Sequence, residues 1–364
     1  MKWLGSWLVM FGAMTSTLGS TIGAIAAPIS LAQAPPIEPG DERTYTPTLP
    51  PDTADPLPSE RPSEELPTTD YRVPALQQDF LGQLWLGTWQ GEVVRIDPET
   101  GRTQARISLP SRIVGALTQD KVGRIWVGTY TGLVRVDPIT NQITAQNFSL
   151  PSNQVLSLTI DHRGFLWVGT DQGLAMVSPD QGLLMTTVRE LPGISANVMA
   201  LDDNDYLWVG TLDGLVQVNT ASAYPRRVVS GVPGQTVQAL VLDFQGNLWV
   251  GTPEGLVVLE PTTGAIIRSV GAMEGQNVMS LAFDDNQALW VGTQAGLYTL
   301  NPYNGEVLGQ VRGLPGRRIF AISPNTGNKV WVGTSEGLGW ISTTTGRALP
   351  HGVYVNPRVF EAVN

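Results

Sequence analysis

From residue 73 onward, short apolar runs alternate with polar, glycine-rich breaks, and the alternation itself repeats. The tryptophan of an L-W-V-G-T type run falls at Trp85, Trp126, Trp167, Trp208, Trp249, Trp290 and Trp331, each 41 residues after the last. Six residues before each tryptophan stands Asp79, Asp120, Asp161, Asp202, Asp243 or Asp284, with Asn325 in the last copy. Six residues before those stand Val73, Val114, Val155, Ala196, Val237, Val278 and Ile319. A fixed period of this length marks an array of one supersecondary unit.

The copy at 114–151 shows what the unit must be. Val114–Leu117 reads as a short strand, and Asp120-Lys121-Val122-Gly123 as a type I turn with Asp first and Gly fourth. Ile125–Thr129 is a second strand, Thr129–Gly132 a tight turn, and Leu133–Val136 a third strand. Asp137–Asn141 forms a proline-preset hairpin, and Ile143–Phe148 a fourth strand. Four short antiparallel strands fill each unit and leave no room for a helix.

A meander whose central strand reads Leu-Trp-Val-Gly is apolar on both faces, so both must be covered. Radial stacking covers them and leaves no long exposed edge. The expectation is an all-β, seven-bladed β-propeller over 73–364, with the tryptophan packed between blades and the glycine permitting close approach. A β-solenoid fits three tight hairpins per repeat poorly. Ring closure has two options: the innermost strand of the first blade is Val73–Leu76, which is favoured, or a C-terminal segment carrying Phe360 and Val363.

Two zones precede the array. Residues 1–34 hold one lysine and no acid, with an apolar stretch from Trp3 to Met14. Small residues follow, offering cleavage sites at Ala24/Ala26, Ser30/Ala32 or Ala32/Ala34. The pattern reads as a secretory signal peptide, or else as an uncleaved N-terminal anchor. Residues 35–72 contain ten prolines and nine acids against three arginines, the composition of an extended acidic linker.

Composition narrows the chemistry. The 364 residues include 40 Gly, 27 Pro and 11 Trp, but no Cys and only 2 His. Thiol nucleophiles, zinc-thiolate sites and three-histidine sites are thereby excluded. The formal net charge of -10 argues against a nucleic-acid backbone binder, and more than half of it lies in the linker. Zero cysteine is compatible with export.

The pattern D-x-x-G-x-L-W-V-G-T-x-x-G-L-x-x-V-D-P-x-T-G, followed by L-P-S-x-x-V, resembles the two-component regulator propeller repeat. Asp161 to Thr170 and Leu150 to Val155 carry it clearly, and the resemblance covers 73–364. It implies a propeller, and a sensing role, since such repeats often form the periplasmic half of membrane histidine kinases. This sequence departs from that arrangement: no transmembrane helix follows the propeller and no kinase fits in the remaining chain. A regulatory role is therefore expected to act through a partner.

Comparing the seven copies separates scaffold from variable positions. The turn between second and third strands varies freely: Trp89, Tyr130, Asp171, Asp213, Glu254, Gln294 and Glu336 all stand in it. The loop leading into each first strand varies too, with Arg112, Asn153, Gln235, Gln276, Asn277, Arg317 and Arg318. Both sets are expected on one face, around the mouth of the central channel, where loops on a rigid frame carry binding residues. Trp89 and Tyr130 offer contact area, Arg112, Arg317 and Arg318 forked donors, and Asp171, Asp213, Glu254 and Glu336 carboxylates. Taken singly, any of these is equally explained as an unconstrained turn residue.

Asp202–Asp205 and Asp284–Asn286 resemble oxygen-rich calcium loops, yet they stand where other copies have the ordinary turn, so no metal site is expected. His162 and His351 read as surface residues. A propeller lyase acting on streptogramin antibiotics is a precedent for an enzyme of this shape, but no comparable His/Glu cluster is visible. The expectation is an exported, monomeric, non-enzymatic scaffold without cofactor, binding a protein, carbohydrate or peptide. Nucleic acid is excluded, and a membrane is a partner only if residues 1–34 stay attached. A periplasmic lyase or hydrolase at the channel mouth is the alternative.

Overall fold

The computed structural model describes residues 70–146 and 148–359. The expected signal peptide, nearly all of the linker, and Phe360 and Val363 lie outside the described residues.

Seven four-stranded antiparallel sheets follow one another along the chain, each built from consecutive strands. Blade 1 spans Ala75–Ser108, blade 2 Val114–Gln146, blade 3 Val155–Val188 and blade 4 Val198–Val229. Blade 5 spans Ala239–Ser269, blade 6 Val278–Val311 and blade 7 Ile319–Val355. In blade 2 the strands are Val114–Gln119, Ile125–Thr129, Gly132–Asp137 and Gln142–Gln146, counted outward from the channel. A single 3-10 turn, Gly271–Met273, is the helical element between blades 5 and 6. Among the described residues no helix is long and apolar enough to cross a membrane.

Each joint between blades reuses the same parts. Trp85 is fully buried against Ile125, Val127, Val134 and Val136 of blade 2, and Trp126 against Leu166, Val168 and Val177 of blade 3. The series continues until Trp331 closes onto Leu84, Leu86, Val94 and Ile96 of blade 1. Burying an indole of this size is worth about 5 kcal/mol before its ordering cost. Each indole nitrogen also needs a partner, and the aspartate six residues earlier supplies it. Trp85 Nε1 donates to Asp79 Oδ2 at 2.8 Å, and the same bond recurs at Trp126, Trp167, Trp208, Trp249 and Trp290.

The glycine of the W-V-G run is demanded by packing. A Cβ on Gly87, Gly128, Gly210 or Gly251 would sit 2.3–2.6 Å from a methyl of Val114, Val155, Val237 or Val278. At Gly333 it would meet the Val73 carbonyl oxygen at 2.2 Å. The apolar residue twelve positions before each tryptophan is thus the knob, and the preceding blade's glycine the hole.

A second clasp crosses several joints. Arg135 stacks over Trp126 and donates to the Pro179 carbonyl at 3.1 Å, while Arg268 stacks over Trp249 and donates to the Pro302 carbonyl at 2.6 Å.

Ring closure uses the N-terminal option. Ala75–Gln78 is the innermost strand of blade 1, and Val73 N donates to Thr334 O of blade 7 at 3.1 Å. Blade 7 departs from the pattern at this seam. Asn325 adopts φ 56°, the left-handed region that Asn tolerates, and does not hold the indole. Trp331 Nε1 donates instead to the Thr326 carbonyl at 3.0 Å. His351 corrects the sequence reading: it is buried, not on the surface. Its Nε2 bonds the Gly101 carbonyl at 2.8 Å, and its Nδ1 accepts the amides of Val353 and Tyr354. These contacts fix the neutral imidazole with its proton on Nε2, and burial pushes its pKa down.

Candidate functional site

The turns between second and third strands are held by one repeated device. In blades 2 to 7 the threonine of the Gly-Thr pair is buried, and its hydroxyl donates to the glycine carbonyl three residues on and accepts an amide in between. In blade 1 the buried Thr88 accepts Glu92 N at 3.0 Å instead. Thr170 Oγ1 donates to Gly173 O at 2.8 Å and accepts Gln172 N at 3.2 Å, and Thr129, Thr211, Thr252, Thr293 and Thr334 do the same. The backbone is therefore fixed without help from the two tip side chains, which leaves those positions free to vary.

The tips are stitched to the other variable loop set. Trp89 N donates to Arg72 O at 3.0 Å, Tyr130 N to Ile113 O, Asp171 N to Gln154 O, Gln294 N to Asn277 O and Ser335 N to Arg318 O. Both sets thus share one face, as the connectivity requires. The turns carrying the anchoring aspartates occupy the opposite end of the strands.

On this face Trp89 and Tyr130 meet edge to face, with ring centroids 5.9 Å apart. Arg72 lies over the Trp89 ring at 3.7 Å and is ion-paired with Asp70. The Arg72 guanidinium holds the Asp70 carboxyl below its ordinary range, and Asp70 in turn raises the arginine. The result is a preorganised cation–aromatic patch across blades 1 and 2, with Tyr130 exposed and Trp89 half-buried.

Sequence reasoning missed Arg72 and Asp70 because both fall in the stretch read as linker. The signal was available: Arg72 precedes Val73 as Arg318 precedes Ile319, so extending the repeat back by one residue reaches it.

The remaining predicted residues are distributed, not clustered. Asp171, Asp213, Glu254 and Glu336 project one per blade from blades 3, 4, 5 and 7. Glu336 is already engaged, accepting Asn356 Nδ2 at 2.9 Å. Asp171 is half-buried, with Oδ1 lacking a hydrogen-bond partner among the described residues. Arg112 is exposed beside blade 1, and Arg317 and Arg318 are exposed between blades 6 and 7. The structure therefore brings together Trp89 and Tyr130, and separately Arg317 and Arg318. It does not pair the carboxylates for acid–base work.

The central channel beneath has a volume of about 280 Å³ and is lined by the innermost strands. The surface it presents is more polar than apolar: Ser157, Ser280, Asn197 and Gln238 stand in the wall beside Leu117, Leu158, Leu240 and Leu281.

On the opposite face the carboxylates are spent on structure. Asp202 Oδ1 accepts the amides of Asn204 and Tyr206, while Oδ2 takes the Trp208 indole, and Asp284 repeats this arrangement. The calcium-like stretches are thus ordinary turns. In blades 4 and 6 Asp205 (φ 62°) and Gln287 (φ 63°) take the left-handed position that glycine fills elsewhere. His162 lies on this face too, 2.6 Å from Asp205. Among the described residues no group of three His, Asp or Glu side chains is placed to hold a metal.

Three stretches, 108–131, 149–172 and 231–254, match the family described as Two component regulator propeller. Each begins in a loop between blades and ends in the turn fixed by threonine. No curated protein matches the chain in sequence. Among solved structures, the extracellular domain of a proposed hybrid two-component system, BT3049 of B. thetaiotaomicron, superposes with a TM-score of 0.64 at 20% identity, covering 75% of this chain and 40% of that one. That of BT4673 from the same organism gives 0.65 at 20% identity, covering 76% and 41%. Virginiamycin B lyase of Staphylococcus aureus gives 0.62 at 14% identity, covering 74% and 93%. At these identities the likeness is one of fold. The chain spans about 40% of the length of the sensor ectodomains it matches.

Proposed function

We propose that this chain, three stretches of which match the two-component regulator propeller family, is an exported sensory propeller. It captures a ligand or partner on the variable-loop face and performs no chemistry there. The observation that carries this reading is the Arg72–Trp89–Tyr130 patch. Aromatic and arginine side chains are held in a fixed geometry on the face whose turns the scaffold leaves free. Support for export comes from the similar solved structures, two of which are extracellular domains, and from the character of residues 1–34. Support for a non-enzymatic role comes from the histidines: His351 is locked in the closing seam and His162 faces the other way. The captured partner is a protein, peptide or carbohydrate.

The test is capture from cell-envelope extracts by the parent protein and by a variant carrying Trp89→Ala, Tyr130→Ala, Arg317→Ala and Arg318→Ala. The reading expects the variant to fold and to lose the captured species. Retention of the same species by the variant overturns the choice of face.

A further inference from the structure

The seven blades are nearly equivalent, so a departure from their pattern is informative. In blades 1, 3, 4, 5 and 7 the glycine closing the threonine-fixed turn lies against backbone leaving its own outermost strand. A Cβ on Gly91, Gly173, Gly214, Gly255 or Gly337 would meet a carbonyl oxygen of that segment at 2.0–3.1 Å. In blade 2 the equivalent Gly132 meets no described atom within 4 Å, and in blade 6 Gly296 meets only the side-chain amide of Gln310, at 3.0 Å.

For blade 6 the cause lies in the next blade. Gly316 packs onto the turn of blade 7, where a Cβ would stand 2.7 Å from Ser335 Oγ and 2.8 Å from Glu336 N. Leu314 and Pro315 lie over Gly339 of blade 7, which has room for them because it lacks a side chain. The connecting loop is therefore drawn toward blade 7 and away from blade 6. A cavity of about 480 Å³ opens behind it, lined by Gly296, Leu297, Gln310, Arg312, Leu314 and Arg317 among others.

The lining has one electrostatic sign. Arg312 and Arg317 are both exposed, no carboxylate lines the cavity, and neither arginine is ion-paired with a described residue. Arg72, Arg124 and Arg163, by contrast, are committed to Asp70, to Asp120 and Asp180, and to Asp161. Two forked donors flanking a walled space are suited to an oxyanion, which they bind by charge-assisted hydrogen bonds. The volume matches an organic ligand, since pockets for small molecules run from about 300 to 1,000 Å³.

We infer that the gap between blades 6 and 7 is a binding site for a small organic anion, its acidic group held between Arg312 and Arg317 and its body against Ala295, Gln310 and Leu314. This rests on the variable-loop face being the binding face and adds to it the charge of the ligand. Arg312 was not among the residues singled out from sequence, because it lies outside the tip and strand-leading positions where the copies were compared.

The test is calorimetric titration of the full chain at low salt with glucuronate, glucose 6-phosphate and glucose. These share one ring body and differ in the charged group. The expected result is saturable binding of one or both anions and none of glucose; which anion wins distinguishes a carboxylate from a phosphate ligand. Arg312→Ala and Arg317→Ala should each weaken binding about tenfold or more. Arg102→Ala, an exposed arginine in the outer hairpin of blade 1 on the opposite face, should leave it unchanged. Equal binding of glucose, no binding of either anion, or unchanged affinity in a folded Arg312→Ala/Arg317→Ala variant overturns the site. If that happens while the four-residue variant above still loses its captured species, the anion site fails and the face stands. If anion binding holds while capture is indifferent to Trp89 and Tyr130, the broader face fails and the site stands.

Discussion

The two ends of this propeller are built from turns of equal regularity, yet they employ their side chains differently. At one end, in six of the seven blades, an aspartate fixes the turn through Oδ1 and anchors the blade's indole through Oδ2, so the side chain that shapes the turn also holds the core. At the other end a buried threonine fixes the turn from within in blades 2 to 7, and the turn geometry does not depend on the tip side chains. A repeat can therefore keep its fold while changing Trp89 to Tyr130 to Asp171 at equivalent places. The difference locates function by subtraction: the end whose side chains are unemployed is the end available for recognition.

That comparison breaks most severely where scaffold positions are filled. Gly251→Val places new methyls into Val278, already 2.6 Å from the position of a single Cβ. The expected cost exceeds about 3 kcal/mol, seen as lost solubility or a collapse of the thermal midpoint. Asp202→Ala comes next. It strips the Trp208 indole and the amides of Asn204 and Tyr206 of their acceptor, and should cost about 2–4 kcal/mol by denaturant unfolding. The same change at the seam, Asn325→Ala, should cost about 1 kcal/mol, since Trp331 takes its acceptor from Thr326 and only the left-handed backbone is penalised. Similar losses at both positions would show that the aspartate is not what distinguishes six joints from the seventh.

The seam also carries a pH dependence. His351 is neutral in the fold, with Nδ1 facing two amide donors and Tyr354, Trp331 and Gly101 around it. Arg106, bonded to the Tyr354 hydroxyl, brings a cation to this network. Burial holds the folded pKa of His351 below the ordinary histidine value of about 6.5, so the unfolded chain binds the proton first as pH falls. Stability contributed by the neutral form is complete above about 6.5 and is lost as pH drops through that value toward the lower folded pKa. Urea midpoints between pH 7.5 and 5 should fall more steeply in the parent than in His351→Gln. Parallel curves would contradict the assignment. The smallest effect is expected at the tips: Tyr130→Ala should change stability by less than about 1 kcal/mol, because its turn is held by Thr129.

The propeller, its seven blades and the knob-and-hole joint were legible because a 41-residue period exposes every scaffold position seven times over. The aspartate was legible as a turn residue but not as the indole's partner, since spacing along the chain does not reveal a hydrogen bond across a turn. Arg72 was hidden by a boundary drawn at the first apolar residue of the repeat. The gap beside Gly296 was illegible for a different reason. It arises from Leu314 and Pro315 leaning on a glycine of another blade, an effect of packing between repeats that no single repeat records.

The most direct measurement sets one end of the ring against the other. A photo-crosslinking p-benzoylphenylalanine is placed at Tyr130, on the variable-loop face, or at Val122, which is more accessible still, on the aspartate face of the same blade. Both proteins are irradiated in cell-envelope extract, and the products are resolved by mass spectrometry. Crosslinks to a discrete partner from position 130 and none from 122 are the predicted result. Crosslinks from 122 alone would contradict the account, placing recognition at the end whose side chains already hold the fold together.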